Sequence, residues 1–145
     1  MVHAGKNAIF ANPVGGAGSL SKTGNGTLIL AANNTYGGPT TILGGPLQIG
    51  NGGTTGTLGA DAGVIANSGT LLFNRSNAVS LDNVVTGTGG VSNIGTGSLT
   101  LNGTQTYTGD TIVSQERSTW PQVRSTAPPA SWSGSRAGQE PRCST

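Results

Sequence analysis

Gly16-Ala-Gly-Ser-Leu-Ser-Lys-Thr-Gly-Asn-Gly-Thr-Leu-Ile-Leu-Ala-Ala-Asn-Asn-Thr-Tyr36 is the stretch that decides how the rest of the chain is read. Displaced along the chain it falls without a gap on Gly87 to Tyr107. Gly16, Gly18, Ser21, Gly24, Gly26, Leu28, Leu30, Thr35 and Tyr36 meet identical residues, and Leu20 meets Val91. An internal repeat that keeps both its turn glycines and its apolar positions outranks other sequence signals in setting architecture.

Inside it lies a shorter unit, a glycine, a small residue or proline, a leucine, any residue and a large apolar residue. It occurs at Gly26-Thr-Leu-Ile-Leu30, Gly45-Pro-Leu-Gln-Ile49, Gly69-Thr-Leu-Leu-Phe73 and Gly97-Ser-Leu-Thr-Leu101. Side chains alternate between the faces of a strand, so the leucine and the last residue of each unit share one face. The intervals from one unit to the next suit a coil of parallel strands stacked about 4.8 Å apart, two or three short strands to a turn. On this reading Leu28, Leu47, Leu71 and Leu99 stack as one column.

The composition agrees. Among 145 residues there are 26 glycines, 8% charged and 4% aromatic residues, so an ordinary globular mixture is excluded. The glycines do not recur every third residue, which excludes collagen. Evenly spaced Leu, Ile and Val among Gly, Asn and Thr read as short strands joined by tight turns. Residues 1–114 carry Lys6, Lys22 and Arg75 against Asp61, Asp82 and Asp110 and sum to zero, so the net charge of +2 belongs to the four Arg and two Glu beyond. No basic face for nucleic acid exists in the repeat region. Cys143 stands alone and His3 is the single histidine, which excludes an internal disulfide and a His/Cys metal set. No apolar run reaches membrane-spanning length, and the first ten residues lack the layout of a signal peptide.

Three regions are expected. Residues 1–15 are a frayed start or a partial rung, with a strand over Asn7 to Ala11. Residues 16–113 are the repeat region, with copies at 16–50 and 87–113 and linker rungs at 51–86. At Ser114 the vocabulary changes: residues 114–145 hold Trp120, Trp132, Cys143, four of the seven prolines and four of the five arginines. Pro121, Pro128, Pro129 and Pro141 keep this basic tail from extending a sheet. The expectation is a low-structure tail, of the kind a reading-frame shift or mis-called gene end produces. The alternative is a basic, Trp-bearing segment for an anionic partner.

At Gly26-Thr-Leu-Ile-Leu30, Asn34-Thr-Tyr-Gly-Gly-Pro-Thr-Thr-Ile42 and Gly45-Pro-Leu-Gln-Ile-Gly-Asn51 the sequence resembles the autotransporter-associated β-strand repeat, whose lysine Lys22 matches. Gly97 to Val113 matches again, and Gly69 to Ser76 resembles the linker rung between copies. Ala32 and Asp110 depart from the family's glycines. The resemblance implies the passenger of a bacterial surface protein secreted through an outer-membrane barrel, of which this chain would be a fragment. The expected fold is all-β, a right-handed parallel β-helix of about four rungs with a disordered C-terminal tail.

Each candidate site has a plainer role beside it. A carbohydrate lyase or hydrolase needs converging carboxylates, and Asp61 and Asp82, separated by nearly one turn of chain, are the pair that stacking could join. Asp110, Glu116 and Glu140 complete the acidic residues. Solvated turn aspartates are the simpler reading, so catalytic, cofactor-binding and metal residues are expected to be none, and no cofactor is implied. The Gly-x-Gly pairs at Gly16, Gly24, Gly87 and Gly95 lack the third glycine of a dinucleotide fingerprint. Asn25, Asn33, Asn74 and Asn102 open Asn-x-Ser/Thr triplets that read as turn residues, and Tyr36 and Tyr107 read as packing against the loop between strands. The expected function is a non-catalytic scaffold or adhesive segment on the cell surface, in contact with host-cell or glycan surfaces and with neighbouring rungs of a longer parent. No nucleic acid and no direct membrane insertion are expected. A carbohydrate-active β-helix enzyme and self-assembly through the open ends are the competing readings.

Overall fold

The computed structural model describes residues 6–59 and 63–114. Twelve short strands run through them: β1 (Ala8–Phe10), β2 (Leu20–Lys22), β3 (Leu28–Leu30), β4 (Thr40–Ile42), β5 (Pro46–Ile49), β6 (Ile65–Asn67), β7 (Thr70–Phe73), β8 (Val79–Leu81), β9 (Val85–Thr86), β10 (Gly90–Asn93), β11 (Leu99–Leu101) and β12 (Thr111–Val113). Every pairing is parallel, and no strand pairs with its neighbour in sequence. Strands this short cannot bury a face alone. Coiling lets each lie on its counterpart one turn earlier, so that backbone groups and apolar faces are satisfied together.

The coil has three sides. One is a six-stranded sheet in the order β1-β3-β5-β7-β10-β12, the second a four-stranded sheet β2-β4-β6-β9, and the third pairs β8 with β11. In the earlier turns the third side has no strands, yet its backbone is still joined turn to turn, with Thr35 N donating to Val14 O at 2.8 Å and Thr57 N to Ala32 O at 3.2 Å.

Along the six-stranded sheet the column is Ala8, Leu28, Leu47, Leu71, Val91 and Thr111. Each step of the column is one turn, which makes about five turns rather than four. The extra turn escapes the sequence reading because Gly90-Val-Ser-Asn93 lacks the leucine of the short unit, although Val91 is as buried as the leucines around it. The steps are nearly equal in length except for the longer one from Leu47 to Leu71. That step spends its additional residues in a loop that turns through positive φ at Gly50, Gly52 and Gly56, a region open to glycine at little cost.

Leu99 does not join the expected column. It lies on β11 against Val79, on the third side, and Val91 takes its place above Leu71. Leu28, Leu47 and Leu71 do stack, each with no exposed surface. Leu30, Ile42, Ile49, Ile65, Phe73 and Val85 fill the rest of the interior. The strand of the first fifteen residues is β1, which pairs with β3. The expectations for 115–145, including Trp120, Trp132 and Cys143, fall outside the described residues. No helix among the described residues is long and apolar enough to cross a membrane.

Candidate functional site

Polar side chains enter this interior and bond to backbone groups of their own corner or of a neighbouring turn. Lys22 ends β2 with no exposed surface, and its Nζ donates to Gly24 O at 3.0 Å and, one turn on, to Gly44 O at 2.9 Å. Gly45, at φ 63°, leaves no room for a side chain, because a Cβ there would meet Gly24 O and Lys22 Nζ. Burial holds the Lys22 ammonium below the ordinary lysine range. Asn67, one turn above Ile42 in the same file, donates to Gly90 O at 2.9 Å and accepts from Gly69 N at 3.1 Å. Asn93, which the repeat aligns with Lys22, donates to Gly97 O and accepts from Gly95 N. All three side chains fasten the corner that follows their strand.

Asn34 is not singled out by the sequence reading. Its Oδ1 accepts from Val14 N at 2.8 Å, and its Nδ2 donates to Ala32 O at 3.1 Å and Thr57 O at 2.6 Å, so one side chain joins three turns. Gln105, its counterpart in the second copy, shares two of these contacts, accepting from Val85 N at 3.1 Å and donating to Gly103 O at 2.7 Å, but its third, to Asn83 O at 3.2 Å, returns to the preceding turn, so it joins two turns and not three. The available signal is its place between Thr35-Tyr36 and the turn glycines, but Asn and Gln differ in letter. The tyrosines behave alike as well. Tyr36 Oη is bonded to Thr40 Oγ1 at 2.8 Å, and Tyr107 Oη to Thr111 Oγ1. Burial raises the Tyr36 phenol above the ordinary tyrosine range, with its bonds to Thr40 and the Gly59 backbone pulling the other way.

These pairs belong to a larger correspondence. Ala31 N to Phe10 O, Thr35 N to Val14 O, Gly37 N to Gly16 O and Leu43 N to Lys22 O recur as Asn102 N to Leu81 O, Thr106 N to Val85 O, Thr108 N to Gly87 O and Ser114 N to Asn93 O. Residues 8–43 and 79–114 are therefore one two-turn unit built twice. The copies do not occupy the same sides: β1 and β3 lie in the six-stranded sheet, whereas β8 and β11 form the third side. Three turns carry Leu28 to Val91, and the rest of the repeat offset, from Val91 to Leu99, carries the motif one side further round.

The carboxylates stay outside. Asp82 follows β8, and its Oδ1 accepts from Asn102 Nδ2 at 2.8 Å in the next turn. Asp110 sits at another corner, just before β12, and is exposed. Asp61, Glu116, Glu140 and His3 lie outside the described residues, so the Asp61 and Asp82 pairing is not placed. Among the described residues no three of His, Cys, Asp and Glu come together as a metal set. Of the sequon asparagines, Asn33 accepts from Gly56 N at 2.9 Å and Asn102 reaches Asp82, both as turn residues.

A cleft of about 200 Å³ opens on the third side between the 56–59 turn and β8, over Ile49, Leu58, Phe73 and Leu81. Arg75 borders it, but its guanidinium donates to Gly56 O at 2.8 Å, Thr54 O at 2.6 Å and Asn77 Oδ1 at 3.1 Å. It is thereby engaged in holding the long loop. A shallow groove of about 350 Å³ runs over the corner formed by Ser68, Thr70, Thr88 and Asp110. Beside Asp110 it presents hydroxyl and backbone groups together with the exposed apolar side chain of Ile112.

The geometry defines a class, a parallel β-solenoid assembled from a transposed two-turn repeat. Residues 20–49 and 94–115 match the family model described as the passenger-associated-transport-repeat. The chain is also 42% identical over 92 residues to the adhesin BmaC autotransporter of Brucella suis biovar 1 (strain 1330), a match covering 59% of this chain and 3% of that protein. The two matched stretches are thus similar to autotransporter passenger repeats. The chain spans a small part of the length of the relative it matches. No solved structure matches.

Proposed function

We propose that the chain is a non-catalytic scaffold segment of a surface-exposed autotransporter passenger, stiff along its axis and offering repeated polar corners for contact with host-cell or glycan surfaces. One observation carries the scaffold role: the buried side chains of Lys22, Asn34, Asn67 and Asn93 are bound to backbone groups of adjoining turns and corners. Buried polar groups satisfied in this way rigidify the structure that holds them. Catalytic sites leave such groups pointing at a reacting atom instead. The adhesive role is supported by the printed description of the relative, and the groove at Thr70, Thr88 and Asp110 is the surface that would carry it.

The test is a purified chain offered a polysaccharide panel, followed by limited proteolysis and adhesion of coated beads to epithelial cells. No release of reducing ends, a resistant core over residues 16–113 and bead adhesion are expected. Polysaccharide cleavage that disappears in the Asp61→Ala, Asp82→Ala double variant would favour the enzyme reading and overturn this one.

A further inference from the structure

We infer that β8 is a docking edge for an extended peptide segment of another protein, taken up as an added strand with one aliphatic side chain in the cleft beside it and an acidic residue against Arg75. In its sheet β8 has β11 on one edge only, and this open edge lies within the coil, with turns before and after it. Val79 N donates to Ser98 O at 2.8 Å and Leu81 O accepts from Asn102 N at 2.9 Å, so these groups face β11. Alternation along the strand turns the N–H and C=O of Ser80 the other way, towards the 56–59 turn. Among the described residues neither group finds a partner, and no backbone bond joins 56–59 to 79–81. An open edge of this kind is a template for a further strand.

The gap accompanies the long step from Leu47 to Leu71. The third side of that turn is held to the turn before it, with Thr57 N donating to Ala32 O at 3.2 Å and Thr57 O accepting from Asn34 Nδ2 at 2.6 Å. Across the gap to β8 the bonds come from flanking side chains: Arg75 reaches Gly56 O and Thr54 O, and Asn83 Nδ2 donates to Gly63 O at 2.7 Å. Between these clamps the ladder stays open.

Shape and charge select the occupant. The cleft is floored by the buried Ile49, Leu58, Phe73 and Leu81. Its volume of about 200 Å³ is below the roughly 300–1,000 Å³ of pockets that enclose a whole small molecule and suits one aliphatic side chain. A strand edge with a side-chain socket beside it takes up extended peptides, the main chain supplying affinity and the socket selectivity. A sugar ring would find no open aromatic face here, since Phe73 is 2% exposed. Arg75 borders the cleft and gives its three hydrogen bonds to neutral acceptors, so its charge meets no carboxylate among the described residues. A guanidinium has further N–H donors to give, and a peptide carboxylate would take them in a charge-assisted bond.

An array of immobilised pentapeptides with every position varied, probed with the full chain, tests this, followed by amide NMR titration with the strongest binder. Binders are expected to share an aliphatic residue and a nearby Asp or Glu, and to shift the amides of Ser80 and Leu58. Ser80→Pro removes the open N–H at a place where an edge strand accepts proline, and should weaken binding about tenfold, while Ser80→Ala leaves it unchanged. Circular dichroism checks the fold of the proline variant. N-methylation of the peptide backbone should cause a similar loss without touching the protein, and replacing the peptide's acid by its amide a loss of about threefold. Failure of every peptide to bind, as when residues outside the described ones cover the cleft, overturns the inference. So does binding indifferent to N-methylation, or a shift of the same amides by maltoheptaose or a hyaluronan hexamer instead of by peptide.

Discussion

Residues 8–43 and 79–114 share a pattern of backbone hydrogen bonds in different surroundings. In the first copy Leu28 and Leu30 have no exposed surface and Tyr36 has 3%, because later turns lie over them. In the second copy Leu99, Leu101 and Tyr107 are only half-buried and Val113 is 68% exposed. The two-turn unit thus carries its hydrogen-bond pattern with it. Burial comes from the turns above, and with it most of the stabilisation each residue supplies.

The largest expected contrast is in the apolar interior. Leu28→Ala should lower stability by about 2–5 kcal/mol, as deletion of a fully buried leucine does, and Leu99→Ala by roughly 1 kcal/mol, where solvent already reaches the site. Urea unfolding of the two variants measures the difference, and equal costs would break the claim that position in the stack outweighs the repeat. A smaller contrast is expected for the amides. Asn34→Ala strands Val14 N and Thr57 O near the interior and should cost about 1–3 kcal/mol, whereas Gln105→Ala, at a half-exposed side, should cost about 1 kcal/mol or less. Amide exchange at Val14 and Val85 reports each loss directly.

The smallest effect is a dependence on pH. Burial depresses the Lys22 value below 10.5, so between the folded value and 10.5 the unfolded chain holds more protons than the native one, and stability rises with pH through that interval. Below the folded value the lysine is charged in both states and its contribution is constant. Tyr36 acts oppositely, since its raised value means that the unfolded chain loses its proton first and stability falls above pH 10. Lys22→Asn, which installs the second copy's residue in the first, should remove the rise and leave the fall. A rise that survives in the variant would show that another group causes it. Denaturation midpoints taken across the alkaline range decide the matter.

Much of the architecture is legible in the residues themselves. Side-chain alternation within Gly-x-Leu-x-apolar units locates β3, β5, β7 and β11, and turn glycines mark the corners between them. The catalytic question is legible only as sparse, separated aspartates, and Asp82 and Asp110 do stand at different corners. Asn34 and Gln105 escape a reading of the letters because their task is defined by backbone groups about one turn away in sequence. Leu99 is misplaced for a related reason. Aligned letters suggest aligned positions in space, yet the offset of the repeat is not a whole number of turns.

The sequence by itself determined that this is a coil of short parallel strands with glycine corners, because alternation and turn preferences act over a few residues. Only the tertiary structure decided that there are about five turns, that Val91 rather than Leu99 follows Leu71 in the column, and that the two copies lie on different sides. Those features depend on the summed length of every corner and loop between two strands. That sum is set by where the ladder between successive turns closes, which no local stretch encodes.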